Sequence, residues 1–205
     1  MQGLQQFLAV NKKTIVRWWH VVLIIWFAFF LLSTQLFSVR FWLEIGKLSG
    51  TASLITFWIV LTPGILKRFQ IGAWLLPIRT ILMLFRRQLG ITMYVLALTH
   101  YWWSRMMPIL SFGGDIFSVQ PSELMGLIAF ALLTPLFFTS NNWAVKHLGR
   151  WWDRIHSLVY VVIWILFLHV GLQEFGWKTF ITLIVAAVEL FSLIWAKSLA
   201  VKNQN

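Results

Sequence analysis

Six stretches of this chain are each long and apolar enough to cross a lipid bilayer, and that feature decides most of what it can fold into. A span takes about 20 predominantly apolar residues, and the stretches fall at roughly 15–37, 49–66, 88–110, 122–138, 152–172 and 177–196. In lipid a backbone must satisfy its own polar groups, which makes runs of this length helices. The expected fold is an all-α membrane protein, a six-transmembrane-helix bundle forming one domain over residues 1–205. The first run is long enough to span and no small-residue cleavage site follows it, so it is expected to stay rather than leave as a signal peptide. No stretch is left for a folded soluble domain, so any flavin or nicotinamide module is expected on another protein.

The 17 Lys and Arg residues give a formal charge of +11. They sit in short clusters between apolar segments rather than along one polar face, which argues for topology and against nucleic acid. Lys12, Lys13 and Arg17, then Lys67, Arg68, Arg79, Arg86 and Arg87, then Lys146, Arg150 and Arg154, and finally Lys197 and Lys202 all fall on one side. Only Arg40, Lys47, Arg105 and Lys178 fall on the other. The positive-inside rule then puts both termini in the cytoplasm, in a multi-pass protein of a cell's inner membrane. Glu44, Asp115, Glu123 and Glu174 make the outer face less basic. The chain has no cysteine, which excludes disulfides, thiolate metal sites and cysteine-held iron–sulfur clusters. The pairs Trp18-Trp19, Trp102-Trp103 and Trp151-Trp152 lie near span ends, where most are expected to anchor at the membrane interface.

The fifth span, GRWWDRIHSLVYVVIWILFLHVG, carries two histidines, His156 and His169. At 1.5 Å per residue they stand about 20 Å apart, in opposite leaflets. His100 lies about 21 Å along the third span from Arg86 by the same arithmetic, which puts His100 and His169 at one depth near the outer side. Two imidazoles level on neighbouring helices, within apolar walls, are what a six-coordinate b-type haem takes. Each alone is equally consistent with an interhelical hydrogen bond. No carboxylate or cysteine lies within a turn of either to complete a zinc or iron site without porphyrin. The thirteen-residue spacing turns an ideal helix about 220° beyond three full turns, so His156 and His169 share a face only if the helix is tilted or locally rewound, as by a π-bulge.

The segments RRQLGITMYVLALTH, ending at His100, and FTSNNWAVKHLGRWWDRIHSLVYVVIWILFLH, ending at His169, resemble the ferric reductase-like transmembrane domain family. Within it they are most similar to the haem-binding membrane subunit of the bacterial periplasmic methionine sulfoxide reductase system. The Leu148, Gly149, Trp152 and His156 pattern carries much of this, with a weaker match at Leu61–Pro63. The resemblance implies electron transfer through haem b, one or two per chain, from a cytoplasmic flavin reductase or membrane quinol to a periplasmic soluble oxidoreductase. A methionine sulfoxide reductase is the acceptor it suggests, and a ferric chelate the alternative. By the same resemblance His100 and His169 match the axial ligands of an outer haem and His156 an inner-haem ligand. Two-haem relatives have a histidine where this chain has Arg86. Arginine is a poor iron ligand, so Arg86 and Arg87 are candidate propionate partners or positive-inside anchors.

His20, near the inner end of the first span, is a candidate second inner ligand, a quinone-site residue or an interfacial side chain. Quinone or FMN would be the further cofactor. His147 is expected to face solvent. Glu189, an acid in the sixth span, needs a partner such as Arg154, a quinol proton or an interhelical hydrogen bond. Gly90 and Gly171 would admit a porphyrin or helix close to the backbone. The run SFGGD, Ser111 to Asp115, has the glycines of a sharp turn, and its outer location makes it a candidate docking edge. The stretch 71–77 is expected on the cytoplasmic surface. Three function classes follow: a haem electron conduit, a stand-alone transmembrane ferric reductase component, and a non-redox small transporter or assembly factor. The long apolar run between His156 and His169 favours a conduit, because a proton path needs closely spaced polar groups.

Overall fold

The computed structural model describes residues 2–36, 38–70 and 75–202. Helix is the regular structure throughout them, and six spans are long and apolar enough to cross a membrane. Helix α1 (Gln2–Val10) precedes α2 (Lys12–Leu36) and α3 (Val39–Arg68). Helix α4 (Leu76–Tyr101) continues through a π-helical turn, Trp102–Met106, into α5 (Met107–Phe112). The chain then forms α6 (Pro121–Phe138), α7 (Asn142–Leu148), α8 (Arg150–Ser157), α9 (Val159–Gln173) and α10 (Trp177–Lys202). Several spans run past their apolar stretch, so that Arg40 and Lys47 open α3 while Arg79, Arg86 and Arg87 belong to α4. Long basic side chains allow this, since their stems lie along the helix while the charge reaches the interface. Of the stretch 71–77, residues 71–74 lie outside the described residues, and Leu76 and Pro77 open α4.

The ends of the helices follow local chemistry. Gly113, with φ of +73°, closes α5 in the left-handed conformation and donates its N–H to the Ile109 carbonyl. This puts the expected SFGGD turn in place, and Arg105 donates to the Ile116 and Ser118 carbonyls just beyond it. A reciprocal Gln120–Glu123 box starts α6, with Pro121 in its first turn. Asn141 accepts from the Ala144 N–H at 2.8 Å to start α7. Within the spans, Thr51, Thr56, Thr99, Thr134 and Thr182 each return their hydroxyl to the carbonyl four residues back. That satisfies both groups where no water is at hand.

The chain divides into two compact units. The first is Met1–Val60 with Thr80–Ser118. In it Trp19 donates to Thr92 at 2.7 Å, Trp26 to Thr99 at 3.2 Å, and Ser53 to the Met93 carbonyl at 2.9 Å. Phe30, Trp42, Trp103 and Met107 form its buried cluster. The second is Leu61–Arg79 with Val119–Asn205. There α9 packs against both α6 and α10.

Two expectations change here. Two of the tryptophan pairs split between environments: Trp18 and Trp151 are exposed, but Trp19 and Trp152 turn inward as hydrogen-bond donors, as residues about 100° apart on a helix can. In the third pair Trp103 is fully buried and Trp102 packs against its cluster. The rewinding between His156 and His169 is also not a π-bulge. At Leu158 the helix tightens, with Leu158 N–H on the Ile155 carbonyl and Val161 N–H on that of Leu158. Such three-residue bonding overwinds the helix, adding on the order of 60° over one turn. It moves the two histidines toward a common face. The π-helical turn lies instead on the third span, directly after His100.

Candidate functional site

His100 and His169 are held by the same device, each inside its own unit. The half-buried His100, at the end of α4, has Nδ1 2.9 Å from the Gly46 carbonyl of α3. Its ring lies over Gly50, one turn further along α3, so closely that a Cβ there would stand 2.7 Å from Nδ1. Ser104 Oγ, in the π-helical turn, is 3.2 Å from the same nitrogen. The half-buried His169, on α9, has Nδ1 2.7 Å from the Ser122 carbonyl of α6. Its ring lies over Gly126, where a Cβ would stand 2.8 Å from both Nδ1 and Cε1.

A carbonyl oxygen can only accept, so Nδ1 carries the proton in both rings. In a neutral imidazole this leaves the lone pair on Nε2. A histidine whose other nitrogen donates to a backbone carbonyl is the usual form of a metal-ligating imidazole, because the bond fixes both tautomer and ring plane. The donor chemistry of these two residues therefore fits haem iron.

His156 differs. Its Nε2 is 3.1 Å from Thr139 Oγ1, and Thr139 directs its own proton to the Pro135 carbonyl at 2.7 Å. The imidazole is then the donor through Nε2, leaving the lone pair on Nδ1. Its ring stacks on Trp152 at 4.0 Å, and Trp152 donates to the Thr139 carbonyl. His20 is exposed on α2. His147 is exposed and stacks on Trp143, as expected for a solvent-facing residue. Arg86 is half-buried and Arg87 exposed. Among the described residues no three His, Cys, Asp or Glu side chains gather as a metal-ion site.

Glu189 is buried, and its partner is Arg68 rather than Arg154. Arg68 Nη2 meets Glu189 Oε1, its Nε donates to Ser192 at 2.8 Å and its Nη1 to Tyr160 at 3.3 Å. Arg154 is exposed and lies over the Trp151 ring. A neighbouring helix does come close at Gly171, where a Cβ would stand 3.3 Å from Thr179 of α10, while no protein atom lies within 4 Å of a Cβ on Gly90. Gly50 and Gly126 are the close approaches to the two histidines, each four residues after the carbonyl that its histidine uses. That i, i+4 relation on a partner helix is visible in the sequence only once the helix pairing is known.

Residues 49–167 match the profile of the ferric reductase like transmembrane component, more than half of the chain. The chain belongs to this family. The matched region includes Gly50, His100, Gly126 and His156 and stops two residues before His169. Among curated proteins it is similar to the protein-methionine-sulfoxide reductase heme-binding subunit MsrQ of Brucella ovis and of Brucella canis, 33% identical over 129 residues in each case, covering 58% of this chain and 57% of theirs. The MsrQ of Brucella melitensis biotype 2 is 32% identical over 120 residues, 56% of this chain and 53% of that protein. The chain thus spans a little over half the length of these relatives. No solved structure matches it.

Proposed function

We propose that this family member is a b-type haem membrane protein that passes electrons across the inner membrane, with His100 and His169 as the axial ligands. The observation that carries the reading is the shared seat, an Nδ1–H on a helix carbonyl with Nε2 left as the ligating atom. When bound, haem supplies a one-electron redox centre in a medium that excludes water. The chain's own residues do the rest: they fix the imidazole tautomers and carry the charges of the loops between the spans. The relatives' printed name, a heme-binding subunit of a methionine sulfoxide reductase, agrees with the reading. It makes a periplasmic soluble oxidoreductase of that kind the proposed acceptor.

The proposed donor is a cytoplasmic flavin reductase or membrane quinol, approaching the basic side that carries Arg79, Arg86, Arg87, Lys146 and Arg150. Both termini lie on that side in this reading, and residues 1–205 act as one transmembrane domain. Arg86, half-buried, is the better placed of the two arginines to meet a propionate; Arg87, exposed, suits the interface. His156 would join a second, inner haem either through Nδ1, keeping its bond to Thr139, or through Nε2, by giving that bond up. His20, being exposed, suits a quinone or FMN contact at the interface better than a buried ligand position.

The test is spectroscopic. Protein purified after expression with ample haem should be red, reducible and low-spin, and His100→Ala and His169→Ala should each abolish the low-spin signal. Colourless wild-type protein would sink the proposal. Because the chain has no cysteine, single cysteines introduced at Lys13 and Lys178 would report orientation by impermeant labelling, with Lys178 the site labelled from the periplasm.

A further inference from the structure

We infer that Gly50 and Gly126 are positioning residues of the two haem ligands, each part of a seat formed by a helix carbonyl and a glycine one turn later. The inference rests on the haem reading above and deepens it. On α3 the pair is the Gly46 carbonyl and Gly50; on α6 it is the Ser122 carbonyl and Gly126. In each the imidazole reaches across to the neighbouring helix, puts Nδ1–H on the first residue's oxygen and lies against the second residue's backbone.

The geometry requires this combination. Residues four apart lie on the same helix face, about 6 Å along the axis. An imidazole whose Nδ1 bonds the oxygen of the first residue must lay its plane across the second. Any side chain there occupies the ring's own volume, since a Cβ would come within 2.7 Å of His100 and 2.8 Å of His169, well inside contact distance. The ring would have to move several tenths of an ångström, and with it Nε2, the atom that would ligate iron.

Gly46 adds a second constraint on the first seat. A Cβ there would stand 2.5 Å from Ser104 Oγ, the other group at His100 Nδ1. The π-helical turn containing Ser104 therefore packs on α3 at the residue whose carbonyl the histidine uses. The bond to a carbonyl also raises the ligand's basicity, which favours ferric iron and lowers the reduction potential. The seats thus position the ligands and tune them together.

The experiment compares Gly50→Ala and Gly126→Ala with Gly3→Ala, whose added methyl meets nothing within 4 Å and which lies on α1, outside both seats. Haem per protein, the low-spin signal and the midpoint potential are read on detergent-purified protein, with size exclusion and thermal melting as folding controls. Both seat variants should lose haem affinity by about tenfold or more or convert to high-spin, and Gly3→Ala should match wild type.

If a seat variant does not accumulate as folded protein, Nδ-methylhistidine in place of His100 or His169 blocks the same hydrogen bond and leaves Nε2 able to ligate. It should raise the potential or displace the ligand. Haem-loaded wild type with seat variants or methylated ligands of unchanged spectrum and potential would overturn the seats and leave the haem reading standing. Wild type without haem would overturn both.

Discussion

His156 and His169 lie on one span, thirteen residues apart, and the protein uses them differently. At the His169 end the partners are backbone: the Ser122 carbonyl and the face of Gly126. At the His156 end they are side chains: the Thr139 hydroxyl, the Trp152 ring and, one turn further along, Tyr160 in its contact with Arg68. A carbonyl can only accept, so it dictates which nitrogen of His169 is protonated. A hydroxyl can donate or accept, and Thr139 dictates the state of His156 only because Pro135 takes its proton. In the proposed reading the first end is a ligand seat built from backbone. The other is a network of polar side chains.

The largest effect that would break this contrast is on cofactor content. His169→Ala should remove the low-spin haem signal entirely, whereas His156→Ala should leave it and lower the haem-to-protein ratio only if a second haem is present. Quantifying haem against protein in both variants checks this. Equal loss in both would put the two histidines on the same footing and erase the distinction.

Arg68 sharpens the comparison at the polar end, with an effect on stability rather than on haem. Its guanidinium serves Glu189, Ser192 and Tyr160 together, and Glu189 is only 2% exposed. Removing one partner of a buried pair leaves the other charged where it cannot be solvated, a loss of about 3–5 kcal/mol. Arg68→Ala should therefore lower the melting temperature in detergent markedly, whereas Arg154→Ala, at an exposed site over Trp151, should leave it near wild type. If Arg154→Ala were the more damaging, the pairing would be wrong.

These contrasts also indicate what the sequence could and could not disclose. Six spans are legible because each is a long apolar run, and His100 and His169 stand out because imidazoles are rare in such runs. Their seats are not legible. Gly46, Gly50, Ser122 and Gly126 act through backbone oxygen and through missing volume, which no residue pattern announces until the helices are paired. Arg68 was hidden for another reason: it closes a run of basic residues that reads as loop charge, yet α3 continues through Pro63 far enough to carry it to Glu189. Gly171 is legible for the opposite reason: a small residue in a span invites close packing, and α10 comes within 3.3 Å of where its Cβ would stand.

The smallest expected effect separates a structural from a redox role for His156. Thr139→Ala removes the hydroxyl that receives the Nε2 proton while keeping the main-chain carbonyl to which Trp152 donates. One buried hydrogen bond of this kind contributes about 1 kcal/mol, so the melting temperature should fall slightly and the outer haem should be untouched. The imidazole remains stacked on Trp152, with the Thr139 bond to Nε2 gone. If His156 is structural, the haem-to-protein ratio stays at its wild-type value and only stability moves. If it belongs to an inner haem, ligation through Nε2 gains from losing the competing hydroxyl and the ratio rises, whereas ligation through Nδ1 loses the hydrogen bond that raises its basicity and the potential of that second centre alone rises. A Thr139→Ala protein that lost the outer low-spin signal would mean the two ends of the span are coupled, and the division between seat and network would have to be abandoned.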